Sequence, residues 1–386
     1  MSFHYTTGAA TNSKNPDRYA EGAPRTVEAA RGAWVYESLN VRPDRRWVDL
    51  TSGLGAVILG HGFGYASEVH RAAAGQLDYG VAFPLPTPWE ESVAQQLTDF
   101  LPWGGAEVVR WSKNGRDAVV AAVRLARAVT GKDGVAYCDY HGSDDMFLRF
   151  PPWNAGVSIV GGAFKLDRKA LVSESLRGLA WRGLACVVLE PVSSNAPEEP
   201  HSMEFFRALR EQCDRCGVLM ILDEMVSFGR APQGSAQAWL DIRPDLWVGG
   251  KCLANGLPLT AVVGPRRYME RYAKDCFHSM THAGEAVSLA AASETLKALK
   301  RENVAAEVNR FGGEVVELFT EHGRAVRFAY PSRLMFDFSR EELGVLLEKG
   351  VLCAGYANFT LAHARDAEAR RTIMDAFRAV LSGPES

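Results

Sequence analysis

From Lys113 to Gly264, short apolar runs alternate with stretches whose apolar residues recur every three to four positions. The runs Val135–Asp139, Ala185–Glu190, Val218–Asp223, Leu246–Gly249 and Leu259–Gly264 are bounded by Gly, Pro or acids and read as strands. Two stretches between them have helical periodicity: Asp117–Gly131, which ends on a glycine C-cap signal, and Ser202–Cys213, with Ser202 as N-cap. Such alternation predicts an α/β fold, a mainly parallel sheet with helices on both faces. Beyond Gly264 the texture changes to long Ala- and Glu-rich helices, Glu285 to about Lys300 and Asn303–Glu321, then short strands and a final helix, Asp366–Leu381. The first 50 residues are polar and contain proline up to a hairpin-like stretch, Gly32–Leu50. The pattern predicts a large α/β domain over residues 55–265 and a smaller α+β domain built from 1–54 and 266–386.

Composition narrows the functional classes. The chain has 386 residues, 47% apolar and 23% charged, the profile of a soluble globular protein with room for a sizeable core. A net charge of -3 gives no electrostatic pull toward nucleic acid or anionic membrane. The N-terminus lacks the apolar core of a signal peptide, and no segment offers about 18 consecutive apolar residues, so a cytoplasmic location is expected. Seven cysteines, an odd number, read as free thiols in a reducing compartment. Cys213 and Cys216 form a CxxC on a helical run with no second such pair or zinc-spaced histidines, so no metal site is expected.

The chemistry is concentrated in two residues. Asp223 closes the apolar run VLMILDE, and Lys251 follows 28 residues later in the Gly-flanked turn GGKCLANG. In open α/β sheets ligands bind beyond the carboxyl ends of the strands, where Asp223 is expected to lie. Alone, it could equally be a helix cap or a surface acid. Lys251 sits among residues too apolar for an ordinary surface lysine, and desolvation lowers an amine's pKa enough for Schiff-base chemistry. An acid and an amine so placed suggest a cofactor held between them, and pyridoxal phosphate fits. Lys113–Arg127, a short glycine-containing loop feeding a helix, offers the uncapped N–H groups and dipole that favour a phosphate, with Asn114 and Gly115 leading. A Rossmann dinucleotide enzyme is excluded, since no GxGxxG follows an early strand.

The chain from about Trp47 onward resembles the class III pyridoxal-phosphate-dependent aminotransferases, especially their glutamate-1-semialdehyde 2,1-aminomutase-like branch. The resemblance is carried by Ile221–Gly264, with its Asp-Glu, Pro-Asp-Leu and Gly-Lys-x-x-x-x-Gly-x-Pro elements, and by Ser52–Gly62, Ala121–Val135, Tyr140–Gly142, Leu189–Asn195 and Thr281–Ala292 in the family's order. It implies fold type I with a mainly parallel seven-stranded sheet, a homodimer, and amino transfer between small-molecule amine and carbonyl substrates. It implies that Lys251 forms the Schiff base, that Asp223 meets the pyridine nitrogen, and that Met225 and Tyr140 cover the two ring faces. His141 belongs to the Tyr140 motif; Glu190 and Asn195 match the family's Glu-Pro-x-x-x-Asn, with the Asn near the ring hydroxyl. Thr281 would reach the phosphate of the neighbouring subunit. The same scaffold also supports a 1,2-aminomutase or an epimerase, and a non-catalytic cofactor-binding protein is a further alternative.

Two departures from the family stand out. The chain reads Asn114, Gly115, Arg116 where the family most often has Ser-Gly-Thr, so Arg116 either pairs with the phosphate or faces the substrate. After Tyr140–Gly142 come Ser143, Asp144 and Asp145, either an acidic mouth that disfavours dicarboxylate donors or a solvated loop. Candidates for substrate selection are Arg116, Arg149, Trp153, Ser52 and Leu54, and for carboxylate binding Arg333 and Arg340.

Overall fold

The computed structural model describes residues 9–38, 42–62, 64–103, 107–148, 154–158, 162–171, 179–199 and 201–383. Arg149 and Trp153 lie outside the described residues. The chain divides into two compact units, one of Ala72–Lys300 and one of Met1–Arg71 with Arg301–Ser386. These bounds differ from the 55 and 265 expected from the sequence. The reason is packing: the long helix Ala286–Arg301 joins the helix Pro88–Thr98 of the larger unit through a Gln96–Ser293 hydrogen bond of 3.0 Å, whereas Ile58 and His61 bond to Leu361 and Gly32 of the smaller unit at 2.8 and 2.7 Å.

The larger unit is built on a seven-stranded sheet. Its strands are β1 (Glu107–Ser112), β2 (Gly134–Tyr137), β3 (Ala163–Lys165), β4 (Leu184–Leu189), β5 (Leu219–Asp223), β6 (Leu246–Gly249) and β7 (Thr260–Pro265), in the order β1-β7-β6-β5-β4-β2-β3. β3, β2, β4, β5 and β6 are parallel, whereas β7 is antiparallel to both neighbours. Since β1 is antiparallel to β7 and β7 to β6, β1 runs with the parallel set. The carboxyl ends of β1, β2, β4, β5 and β6 therefore share one edge. β4 is buried at every position, as befits a strand covered on both faces.

The helix α1 (Gly115–Thr130) buries Ala118, Val119, Ala121, Ala122, Val123, Leu125 and Ala126 against this sheet. Its small alanines let the helix come close, and the left-handed Gly131 (φ 67) ends it without the crowding a β-carbon would bring. On the opposite flank α2 (Met203–Cys216) starts at Ser202, whose hydroxyl accepts from the Phe205 N–H at 3.2 Å.

In the smaller unit Trp34–Ser38 and Arg42–Asp49 form an antiparallel pair, and Val351–Leu352 adds to the latter in parallel, tying the two ends of the chain together. Phe311, Phe319, Phe336, Phe359 and Phe377 supply its aromatic core beneath the helices Val304–Glu321 and Ala367–Ser382.

Candidate active site

The parallel edge collects the residues picked out by chemistry. Asp223 is the last residue of β5 and pairs in register with Val248 of β6, so Lys251 follows three residues beyond the neighbouring strand's partner. Lys251 has φ 47 and opens a one-turn 3-10 helix, Lys251–Ala254, after an extended Gly250. A β-carbon at Gly250 would lie 2.5 Å from Thr260 Cγ2 and 2.9 Å from Met225 Sδ, so only glycine lets the lysine turn sit this close to β7 and Met225. A β-carbon at Gly115, the first residue of α1, would lie 3.3 Å from the same sulfur. Met225 therefore stands between the lysine turn and the helix N-terminus. Its own N–H donates to Asp223 Oδ1 at 3.0 Å.

His141 fixes the other oxygen. Its Nδ1 is 2.7 Å from Asp223 Oδ2, and its Nε2 donates to the Cys138 carbonyl. With a carboxylate and a carbonyl as partners, both ring nitrogens act as donors, which describes an imidazolium. The electrostatics agree: burial works against the charge, but the hydrogen bond and charge of Asp223, aided by Glu190 and Asp139, outweigh it and raise the His141 pKa. Both side chains are almost wholly buried, at 0% and 3% exposure. Sequence reasoning named His141 only through its motif; the contact with Asp223 spans 82 residues of chain.

Glu190, just past β4, is buried and accepts from Ser194 N and Oγ at 3.0 and 3.1 Å. Burial pushes its carboxyl up to about 7, with the charges of Asp139 and Asp223 adding to the effect. Tyr140 is 56% exposed at the same edge, and Asn195 is exposed as well. Gly142, at φ 90, faces the first turn of α1: a β-carbon there would sit 3.1 Å from Arg116 Cα. Thr281 is exposed in the segment before the helix Ala286–Arg301.

The two departures from the family meet each other. Arg116 Nη2 is 2.9 Å from Asp144 Oδ2, while Asp144 Oδ1 accepts from the Met146 N–H at 3.1 Å. Asp145 accepts from the Ser158 N–H at 3.2 Å. Each acid of the pair is thus engaged, and the excess negative charge expected there is partly cancelled. Ser52 and Leu54 lie in the smaller unit, where the Ser52 hydroxyl donates to the Asp49 and Asn358 carbonyls at 3.2 and 2.8 Å. Arg340 is spent on the backbone carbonyls of Tyr19 and Asp17 at 2.7 and 3.0 Å, and Arg333 donates to Asn358 Oδ1 at 2.7 Å.

Glu224, beside Asp223, received no role from the sequence. It is fully buried and accepts from Ser227, Ser235, the N–H groups of Ala236 and Gln237, and Trp247 Nε1. Burial raises its pKa against these donors. The adjacent acids thus divide their labour: Glu224 pins the chain beyond β5 from below, and Asp223 is presented at the edge.

The arrangement suits pyridoxal phosphate. Asp223, with its oxygens oriented by His141 and Met225, can face a pyridinium N–H. The N-terminus of α1 has no side-chain cap, and the Asn114 Nδ2 donates to Asp117 Oδ2 at 3.0 Å. Its leading N–H groups are left for a phosphate. Lys251, from the adjacent strand end, is the amine available to such a cofactor.

Known proteins agree with this fold. The model of the class-III aminotransferase family matches residues 163–326. A transaminase solved with PLP bound is 24% identical, with 94% of this chain and 93% of that one covered and a TM-score of 0.78. An omega-transaminase from Sphaerobacter thermophilus is 24% identical over 94% and 92% of the two chains, with a TM-score of 0.77. The ornithine aminotransferase of Toxoplasma gondii is 20% identical over 92% and 90%, with a TM-score of 0.79. At these identities the likeness establishes the fold.

Proposed function

We propose that this chain is a pyridoxal-phosphate-dependent aminotransferase that moves an amino group between a small-molecule amine and a carbonyl acceptor. The observation that carries the reading is the convergence on one sheet edge of Asp223, oriented by His141, and Lys251 on the neighbouring strand end, around Met225 and the uncapped start of α1. The class-III family match supports it.

Bound there, pyridoxal phosphate supplies an aldehyde for the amine and a ring that draws electrons from the adjacent carbon. Asp223 keeps a proton on the ring nitrogen, because an opposite charge favours the charged form. His141 holds that carboxylate in place. The Lys251 Nζ would anchor the cofactor and, as a free amine, would carry a proton from the substrate carbon to the carbon of the cofactor's aldehyde. Met225 and Tyr140 would cover the two ring faces, Asn195 and Glu190 would serve the side of the ring hydroxyl, and Asn114, Gly115 and Arg116 would lead the phosphate cradle.

A second copy of the chain is the proposed partner, with Thr281 reaching its phosphate. The exposed apolar residues Leu77, Tyr79, Phe83, Leu85 and Phe277 support an association surface; Tyr79 alone is 81% exposed. The hydrogen bond from Ala286 N to Val81 O at 3.0 Å joins that segment to the start of the helix that follows Thr281. Among the described residues no helix is long and apolar enough to cross a membrane. The cytoplasm is the proposed location, a reading supported by seven free cysteines, six of them buried.

Lys251→Ala tests the reading. The variant is expected to lose both the borohydride-trappable cofactor adduct and turnover, while the wild type converts to the pyridoxamine form on addition of amino donors without acceptor. If no donor in a broad panel produces that change and one amino acid is isomerised or epimerised instead, the transfer reading falls to the aminomutase or epimerase. An adduct that forms with every donor inert would mark a binding protein.

A further inference from the structure

Asp139, the residue before Tyr140 and His141, stands at φ 70. A non-glycine residue crowds its own backbone in this left-handed region and stays there only when its surroundings hold it. Arg168 holds it. Arg168 Nη2 lies 2.6 Å from Asp139 Oδ2 and Nε lies 3.3 Å from Oδ1, a fork on one carboxylate. The same guanidinium donates to the Pro191 carbonyl at 3.3 Å and to the Glu190 carbonyl, and Asp139 Oδ2 accepts from the Glu190 N–H at 3.2 Å. The two side chains are 1% and 5% exposed.

One buried cation thus ties together the chain just past β2 and just past β4, which are neighbours in the sheet. The next residues after those ties are the ones the candidate site uses: Tyr140 and His141 on one side, Glu190 itself on the other. A buried ion pair is a poor source of stability, because desolvation offsets most of the attraction. Its geometry is another matter, since the fork on the Asp139 carboxylate, the Glu190 N–H and the guanidinium's bonds to the Pro191 and Glu190 carbonyls together restrain the chain at Asp139.

We propose that the Arg168–Asp139 pair is a positioning device, which sets His141 against Asp223 and Tyr140 at the sheet edge, and thereby fixes the seat of the cofactor ring. The proposal rests on the cofactor reading above. Removal of Arg168 alone takes the fork off Asp139 and leaves the mutually interacting acids Asp139, Glu190 and Asp223 with one cationic neighbour fewer, His141 among those that remain. Removal of both partners restores the charge balance but not the hold.

The experiment compares wild type, Arg168→Met, Asp139→Asn and the double variant. Three quantities are read: the thermal midpoint of the apo-protein, the Kd for pyridoxal phosphate by absorbance titration, and the visible circular dichroism of the bound cofactor, which reports how asymmetrically the ring is seated. Arg168→Met is expected to lower the apo midpoint, weaken the cofactor by roughly tenfold or more and reduce the dichroism per bound cofactor. The double variant is expected to recover the apo midpoint while the dichroism and Kd stay impaired. Asp139→Asn, nearly isosteric and tolerant of the left-handed backbone, should fold in any event and show a smaller loss of dichroism than Arg168→Met. If the double variant, or Asp139→Asn together with a folded Arg168→Met, binds and orients the cofactor as the wild type does, the pair is only structural and the proposal is overturned. A wild-type protein that takes up no pyridoxal phosphate overturns the cofactor reading and this proposal with it.

Discussion

Glu190 keeps its proton to about pH 7 because burial strips its carboxylate of water and Asp139 and Asp223 add negative charge beside it. A carboxyl whose folded pKa is raised binds its proton more tightly in the folded state. Its contribution to stability is complete below the unfolded value of 4.5 and is lost as pH rises through about 7. Glu190→Gln keeps the shape and an acceptor for Ser194 but cannot ionise. Denaturant unfolding of both apo-proteins should show the wild type losing stability relative to the variant between those pH values, by at most about 3 kcal/mol, with no further divergence above. Parallel curves across the range would mean that Glu190 does not titrate there. At Asp223 the expected effect is on rate: Asp223→Asn should retain cofactor while turnover falls by roughly 100-fold or more, because the neutral amide no longer holds a proton on the ring nitrogen. A variant with near-normal turnover would remove Asp223 from that role. Asp223 and Lys251 were legible because a strand-end acid and a glycine-flanked lysine are odd locally. Arg168–Asp139 and His141–Asp223 were not, since each joins strand ends that only the sheet order makes neighbours.

Strands were legible where burial on both faces imposed a run of apolar residues, and helices where one buried face imposed a three-to-four-residue recurrence. β4, β5 and β6 lie within a residue of the expected runs. β1 and β3 were not named, and their burial explains why: β3 has two of three residues exposed, and β1 is only partly buried over its first four. The antiparallel β7 has a cause in the chain as well. From Gly249 to Thr260 there is only the one-turn helix Lys251–Ala254, too little for the crossover of a dozen or more residues that a parallel return needs. That short link is what places Lys251 at the edge, and it depends on Gly250. Gly250→Ala would drive a methyl into Thr260 and Met225. Its expected outcome is a fall of at least tenfold in cofactor affinity with a lowered thermal midpoint, about 1–3 kcal/mol for such overpacking. Ser202→Ala serves as the contrast, since it removes only the N-cap of α2. It should cost about 1 kcal/mol in denaturant unfolding with no change in cofactor Kd.

The exposed apolar segment around Tyr79 and Leu85 has no counterpart in the interior pattern, and a surface of this kind is costly unless something covers it. If a second copy does so, Leu85→Glu should shift the protein to monomer in sedimentation, because a charge placed in an apolar contact cannot be solvated there. The stronger test concerns Thr281, whose proposed work is done in the other subunit. Thr281→Ala should weaken cofactor binding by roughly tenfold, the loss of one hydrogen bond to a charged group. Mixing this variant with Lys251→Ala then separates two geometries. If Thr281 serves its own subunit, every site in a mixed dimer carries one lesion, and mixing restores nothing. If it serves the partner, a mixed dimer concentrates both lesions in one site and leaves the other intact. Random exchange makes about half of the dimers mixed, so about one site in four should regain wild-type affinity and turnover. Assayed at a cofactor concentration that saturates the wild type but not Thr281→Ala, the mixture should exceed the sum of the two variants measured apart. A strictly additive result, with subunit exchange shown by a tag on one variant, would place Thr281 in its own subunit's site or in none.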